Sequence, residues 1–261
     1  MLEYFVYNFQ TFLMIFARTL ALFTVAPVFG SDAVSYPYRI MLSFMLSLIL
    51  FPVTSGFMME VPPGMGEFGL IIFSEVLIGL LIGFIISIIF AGFLMAGEYF
   101  SVQMGFSYTE VLDPVSQISL PVMSQLKNLM GLMLFLVTGA YRVMIESLAL
   151  SFQKIQILTF TPDVNRSIMH VFEASIGAMF VVAFKISLPV LGILILVSIS
   201  EALMGKAAPQ MNILQLSFPA KIVVGLIVMI IVIPFIEQQM VDSFEISFDR
   251  IQRLMRVWPT K

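Results

Sequence analysis

VLIGLLIGFIISIIFAGFLMAG, residues 76–97, holds no charged residue; serine is its most polar member. A helix rises about 1.5 Å per residue, so about 20 consecutive apolar residues span the roughly 30 Å of hydrocarbon in a bilayer. This stretch reaches that length. Within it Gly79, Gly83, Ser87 and Ala91 recur at every fourth position and draw a narrow ridge of small side chains along one side of the helix. Gly92 and Ala96 extend a second row. Such ridges let neighbouring backbones approach closely, so the pattern predicts helix-on-helix assembly. Glu75 begins the ridge. An acid on a face meant for another helix needs a cation, and the sequence alone does not name it.

The surrounding chain is of the same class. Hydrophobic residues make up 60% of it, charged residues 11%, and the mean hydropathy is +1.04. These values lie far from a soluble domain and identify an all-α, membrane-associated protein. Six long apolar helical segments are predicted, at roughly 5–27, 40–59, 69–96, 129–150, 171–203 and 220–236. Only the third is long and clean. The sixth has just 15 residues between Lys221 and Glu237, about 22 Å of helix against roughly 30 Å of hydrocarbon. Arg18 interrupts the first, Pro52 and Gly56 the second, Arg142 and Glu146 the fourth, and Lys185 with Pro189 the fifth.

A charge at the centre of a lipid-facing helix costs about 2.5 to 3.5 kcal/mol or more. Arg18, Glu75, Arg142, Glu146 and Lys185 are therefore expected to be buried charges, facing protein, water or one another. Arg142 and Glu146, four apart on one helix face, can simply pair. A lined pathway is the sharper reading of the same residues.

Two connecting stretches are too apolar for ordinary loops. In GFSYTEVLDPVSQISLPVMSQLK, residues 105–127, Pro114 and Pro121 break any helix while Phe106, Tyr108, Val111, Leu112, Ile118 and Leu120 require burial. Irregular backbone at membrane depth is tolerated only where protein or a water-filled cavity surrounds it. A loop packed on its own protein and a plug in a pore both satisfy that condition. KAAPQMNILQLSFPAK, residues 206–221, carries Pro209 and Pro219 around Gln210, Asn212 and Gln215, whose amides can satisfy backbone groups freed by the prolines. It is expected to form a re-entrant turn after a helix ending near Gly205.

In the tail, Val241, Phe244, Phe248, Ile251, Met255 and Trp258 follow a 3,4,3,4,3 spacing that predicts an amphipathic helix. Its acids come first and its bases last, the order the helix dipole favours. No flexible linker divides the chain, so the expected organisation is a hydrophobic helical core over 1–236 and a C-terminal amphipathic helix over 237–261. With the N-terminus inside, Lys154, Arg166 and the four tail bases fall on the cytoplasmic side against Arg39, Lys127, Lys206 and Lys221, a weak bias.

Several classes are excluded. The absence of cysteine removes disulfides, thiolate metal sites and thiol catalysis. A formal charge of −3 gives no reason to expect nucleic acid. There is no HExxH, GxSxG or Walker lysine, and the single histidine, His170, is expected to face solvent. No enzyme activity and no cofactor are expected. MLEYFVYNFQ lacks a basic leader and a small-residue cleavage site, so the first apolar segment is expected to be retained.

The chain resembles the FliR family, the flagellar members of the type III export apparatus, with injectisome counterparts more distant. The likeness covers essentially the whole chain. It runs through Arg18, Pro27 and Gly30 in RTLALFTVAPVFG, Pro37, Arg39, Glu75, Gly79 and Gly83 in EVLIGLLIG, Gly97, Glu98, and QMGF at 103–106. Its most specific parts are Asp113, Pro114, Ser116 and Pro121 in DPVSQISLP, and Pro209, Gln210, Asn212, Phe218 and Pro219 of a PQxN...FP signature. Gly205, Leu214 and Ser217 depart from the family pattern, which has asparagine, phenylalanine and glycine there.

The resemblance implies a subunit of the export gate in the bacterial inner membrane, at the flagellar basal body. FliP, FliQ and FlhB would be its partners in a closed helical ring that passes unfolded flagellar proteins. It also implies that the 105–121 loop plugs the closed channel, with Phe106, Tyr108, Val111, Leu112 and Ile118 as the seal. The competing class is a secondary transporter or ion channel, which would also use broken helices and midplane charges such as Lys185 beside Pro189.

Overall fold

The computed structural model describes residues 2–31, 34–57, 64–106, 122–155, 162–208, 210 and 213–257. Among them lie seven helices and no strand: α1 (Leu2–Val25), α2 (Tyr36–Thr54, with a 3-10 turn at Ser55–Phe57), α3 (Met65–Met104), α4 (Val122–Val137), α5 (Ala140–Lys154), α6 (Pro162–Ala207) and α7 (Ile213–Val257). All-α membrane architecture is thus observed. α1, α2, α3, α6 and α7 are each long and apolar enough to cross a membrane. α4 and α5 make a sixth crossing only as a broken pair, bent by 69°.

That break divides the fourth predicted segment. Gly139 sits there at φ +75°, a left-handed conformation that glycine adopts without strain. The fifth and sixth segments grow instead of breaking, to 46 and 45 residues. The flanks of the sixth are rich in Leu, Met, Glu and Gln, which extend an existing helix readily. α7 therefore passes through 236–237 without interruption, and the tail is its continuation and not a separate helix. It also begins at Ile213, so Phe218 and Pro219 are helical, and 213–221 does not form the re-entrant turn expected over 206–221.

The chain forms two compact units. The first comprises 1–88, 139–176 and 244–261. In it α2 is amphipathic inside out: Ser43, Ser47, Leu50 and Thr54 form the buried face, while Met41, Phe44, Met45, Leu48, Ile49 and Val53 are exposed. Phe12 of α1 meets Phe44 edge-on at 5.3 Å. The turn from α1 to α2 is pinned by Arg39, whose Nε donates to the Val34 carbonyl (2.9 Å) and Nη2 to that of Ser31 (2.6 Å). A side chain at Gly30 would strike the Thr24 and Ala26 carbonyls, so this turn closes only around glycine. Phe244, Phe248, Ile251 and Met255 of the tail stripe are buried within this unit; Trp258 lies outside the described residues.

The second unit comprises 89–138 and 177–243. Gly97 of α3 lies against the backbone of Ser124, Gly92 against the Met179 carbonyl, and Gly131 of α4 under the Phe93 ring. Phe90 packs with Phe93 at 5.3 Å and with Phe135 at 5.8 Å. In both units hydroxyls fold back on their own helices: Thr19 donates to the Ile15 carbonyl (2.8 Å), Ser47 to Ser43 (2.6 Å), Ser187 to Ala183 (2.7 Å) and Ser243 to Gln239 (2.6 Å).

Candidate functional site

Arg18 and Glu75, each fully buried, are brought together in the first unit. The small ridge is what permits it. One turn beyond Glu75, a side chain at Gly79 would overlap the Arg18 carbonyl and the Ala21 Cβ, and at Gly83 a Cβ would lie 3.1 Å from the Leu22 carbonyl. α1 and α3 therefore touch backbone to backbone, and the carboxylate reaches the guanidinium. Arg18 Nε donates to Glu75 Oε2 at 2.5 Å. Nη1 donates to Ser151 Oγ (2.9 Å) and Nη2 to the Ile155 carbonyl (3.0 Å). α5 ends at Lys154, and the capping residue Ile155, at φ −116°, leaves the helix, so its carbonyl is free to accept. The Phe152 ring lies 4.2 Å from the guanidinium carbon. Every nitrogen of the Arg18 side chain is engaged, which is how a cation survives at zero exposure. Glu75 Oε1 keeps no hydrogen-bond partner among the described residues.

The other three charges expected to face protein, water or one another lie on the surface of the single chain. Arg142, Glu146 and Lys185 are exposed on this chain. Arg142 Nε donates to the neighbouring Tyr141 hydroxyl at 3.2 Å, and no Arg142–Glu146 ion pair is found among the described residues. Both point off the outer face of α5, where water or a neighbour must meet them.

Lys127 takes their place, a residue that sequence reasoning assigned to a loop. It lies on α4 in the second unit at zero exposure, its Nζ 5.1 Å from the centre of the Phe100 ring and without a hydrogen-bond partner among the described residues. Ser101 Oγ and Ser124 Oγ are likewise buried and unpartnered. The signal available in the sequence was Gly97, whose contact with Ser124 presses α4 onto α3 one turn away.

The two apolar connecting stretches meet at their described ends, again in the second unit. Gly105 closes α3 at φ +87° with the Phe218 ring where its side chain would be, and Met104 fills the place of a side chain at Gly225. The Phe106 amide donates to the Ser101 carbonyl (2.9 Å), and its side chain is half-buried. Gly105 of QMGF and Phe218 of the second signature thus pack together. Pro219 and Gln210 are exposed. Tyr108, Val111, Leu112, Asp113, Pro114, Ile118, Pro121, Pro209 and Asn212 lie outside the described residues.

Ser217, the departure from the family's glycine, has a local role. Its hydroxyl donates to Glu201 Oε2 of α6 at 2.7 Å, and Lys221, one turn on, places Nζ 3.4 Å from the same oxygen. Glu201 and Ser217, with Leu196, Met204 and Leu216, line an open cavity of 350 Å³.

No group of three or more acidic or histidine side chains able to hold a metal occurs among the described residues. Packed helices, internal ion pairs and exposed charges are an assembly chemistry, and the comparisons with known proteins agree. Residues 9–246 match the family described as bacterial export proteins, family 1. The flagellar biosynthetic protein FliR of Bacillus subtilis strain 168 is 30% identical over 251 residues, 95% of each chain. Those of Escherichia coli K12 and Pectobacterium carotovorum are each 26% identical, over 91% of both chains and over 92% of this chain and 90% of the other. With the family match reaching from residue 9 to residue 246, the chain belongs to the FliR family of bacterial export proteins, multi-span inner-membrane components of the flagellar type III export gate.

Proposed function

We propose that this chain is one stave of a closed helical channel built with FliP and FliQ, braced by FlhB, through which unfolded flagellar proteins leave the cell. The observation that carries the reading is Lys185. It is exposed on α6 between Phe184 and Leu188, which are 49% and 64% exposed, in a helix apolar enough to cross a membrane. An ammonium facing lipid there costs about 2.5 to 3.5 kcal/mol or more, so this face calls for protein or water beside it. Packing among sister subunits supplies both.

The segment after Gly105 is the natural closure of such a channel. Phe106, Tyr108, Val111, Leu112 and Ile118 would seal it, anchored where Gly105 seats against Phe218. A membrane extract solubilised in mild detergent tests the assembly. The tagged chain should bring down FliP and FliQ together, identified by mass spectrometry, and the purified single chain in liposomes should show no saturable uptake of small solutes. Recovery of the chain alone and fully lipid-coated, or solute uptake by it, would overturn the proposal in favour of a transporter.

A further inference from the structure

Within the first unit, the start of α6 and the end of α7 enclose an open cleft of 540 Å³ lined by Arg166, His170, Arg250, Arg253 and Arg256. Its floor is apolar, formed by Val171, Ala174 and Leu254, and no carboxylate lines it among the described residues. Four arginines converge there although the chain as a whole is acidic, at −3. No ion pair to any of them is found among the described residues, and Arg250 Nη1 is buried without a hydrogen-bond partner. Gathering guanidinium groups without counterions is unfavourable in the free chain, and an anionic group seated among them removes that cost with bidentate hydrogen bonds.

We infer that this cleft receives an acidic segment of a neighbouring gate subunit, a run of Asp or Glu side chains whose apolar neighbours rest on the Val171–Leu254 floor. The inference rests on the gate reading above. Two observations favour protein carboxylates over a lipid phosphate. Arg250 lies about 21 Å along α7 from Ile236, the end of its charge-free stretch, whereas the headgroup layer on each side of a bilayer is only about 5 to 8 Å thick. Glu237, Asp242, Glu245 and Asp249 also stand between that stretch and the cleft, and they would repel an anionic lipid surface.

The test uses the full chain expressed with the other gate subunits. A photo-crosslinking amino acid at position 253 should give an adduct that maps, by mass spectrometry, to an acidic stretch of another gate subunit. In the same cells Arg253→Glu with Arg256→Glu should lower co-purification of that subunit about tenfold in low salt, and Arg253→Lys with Arg256→Lys should retain most of it. Both positions are exposed, so the chain's own fold is not at stake. An adduct to phospholipid would overturn the inference, as would unchanged co-purification by the charge-reversed chain. If the parent chain recovers no gate subunit at all, the channel reading fails first. If the parent assembles and the charge-reversed chain assembles equally well, only the acidic-segment inference fails.

Discussion

Replacing Glu75 with leucine removes the one counterion found, among the described residues, for a cation that has no exposure. Arg18 would keep two acceptors, Ser151 Oγ and the Ile155 carbonyl, together with the Phe152 ring. Removing one member of a buried ion pair typically destabilises by about 3–5 kcal/mol, and the surviving contacts place the expected loss near the lower end, about 3 kcal/mol. Arg18→Leu combined with Glu75→Leu removes both charges. Ser151 already donates to the Leu148 carbonyl at 2.6 Å, so the double change strands only the Ile155 carbonyl. Apolar replacements of whole buried pairs are often neutral or better. The double variant should therefore recover most of the loss, with a coupling energy of about 2–3 kcal/mol. Denaturant unfolding of the full chain in detergent micelles, with all four members of the cycle side by side, measures this. A Glu75→Leu loss below about 1 kcal/mol, or a double variant weaker than both single variants, would refute the assignment of the pair.

Lys127→Met should stabilise the isolated chain by about 1 kcal/mol or more, because it removes a buried ammonium that lacks a hydrogen-bond partner; a lower melting temperature in detergent would count against this. Gly105→Ala forces a side chain into φ +87° and into the Phe218 ring, for a loss of about 1–2 kcal/mol from the backbone alone. Adding Phe218→Ala should relieve the collision but not the backbone strain, and full recovery in a thermal melt would show the φ to be unimportant. Deleting 106–120 should raise ion leakage several-fold in cells expressing the whole gate; unchanged leakage would exclude a plug there.

How much was legible before the structure depended on range. The ridge beginning at Glu75 is local, and the helix it announced runs over Met65–Met104. Arg18 and Glu75 were each singled out, but their union depends on α1 meeting α3 across 57 residues, and no periodicity encodes that. Gly79 and Gly83 were the clue, since only a close backbone approach needs both. Arg142 and Glu146 show the reverse failure: correct i,i+4 spacing, yet both side chains extend outward instead of pairing. Lys127 was misjudged because a cation beside a proline-rich stretch looks solvated, whereas the Gly97 contact draws its helix inward. The tail stripe was recognised, but its continuity with α7 was not, because acids and glutamines after Ile236 end an apolar pattern without ending a helix.

The hydroxyls that donate to the carbonyl one turn back have a bearing on biogenesis. Thr19, Ser47 and Ser187, within the apolar stretches, offer no dangling hydrogen to their surroundings. To the insertion machinery that sorts nascent segments by polarity, they count almost as alanines. A newly made chain can thus partition into the bilayer before any sister protein arrives, with its few ionised groups alone left waiting for company.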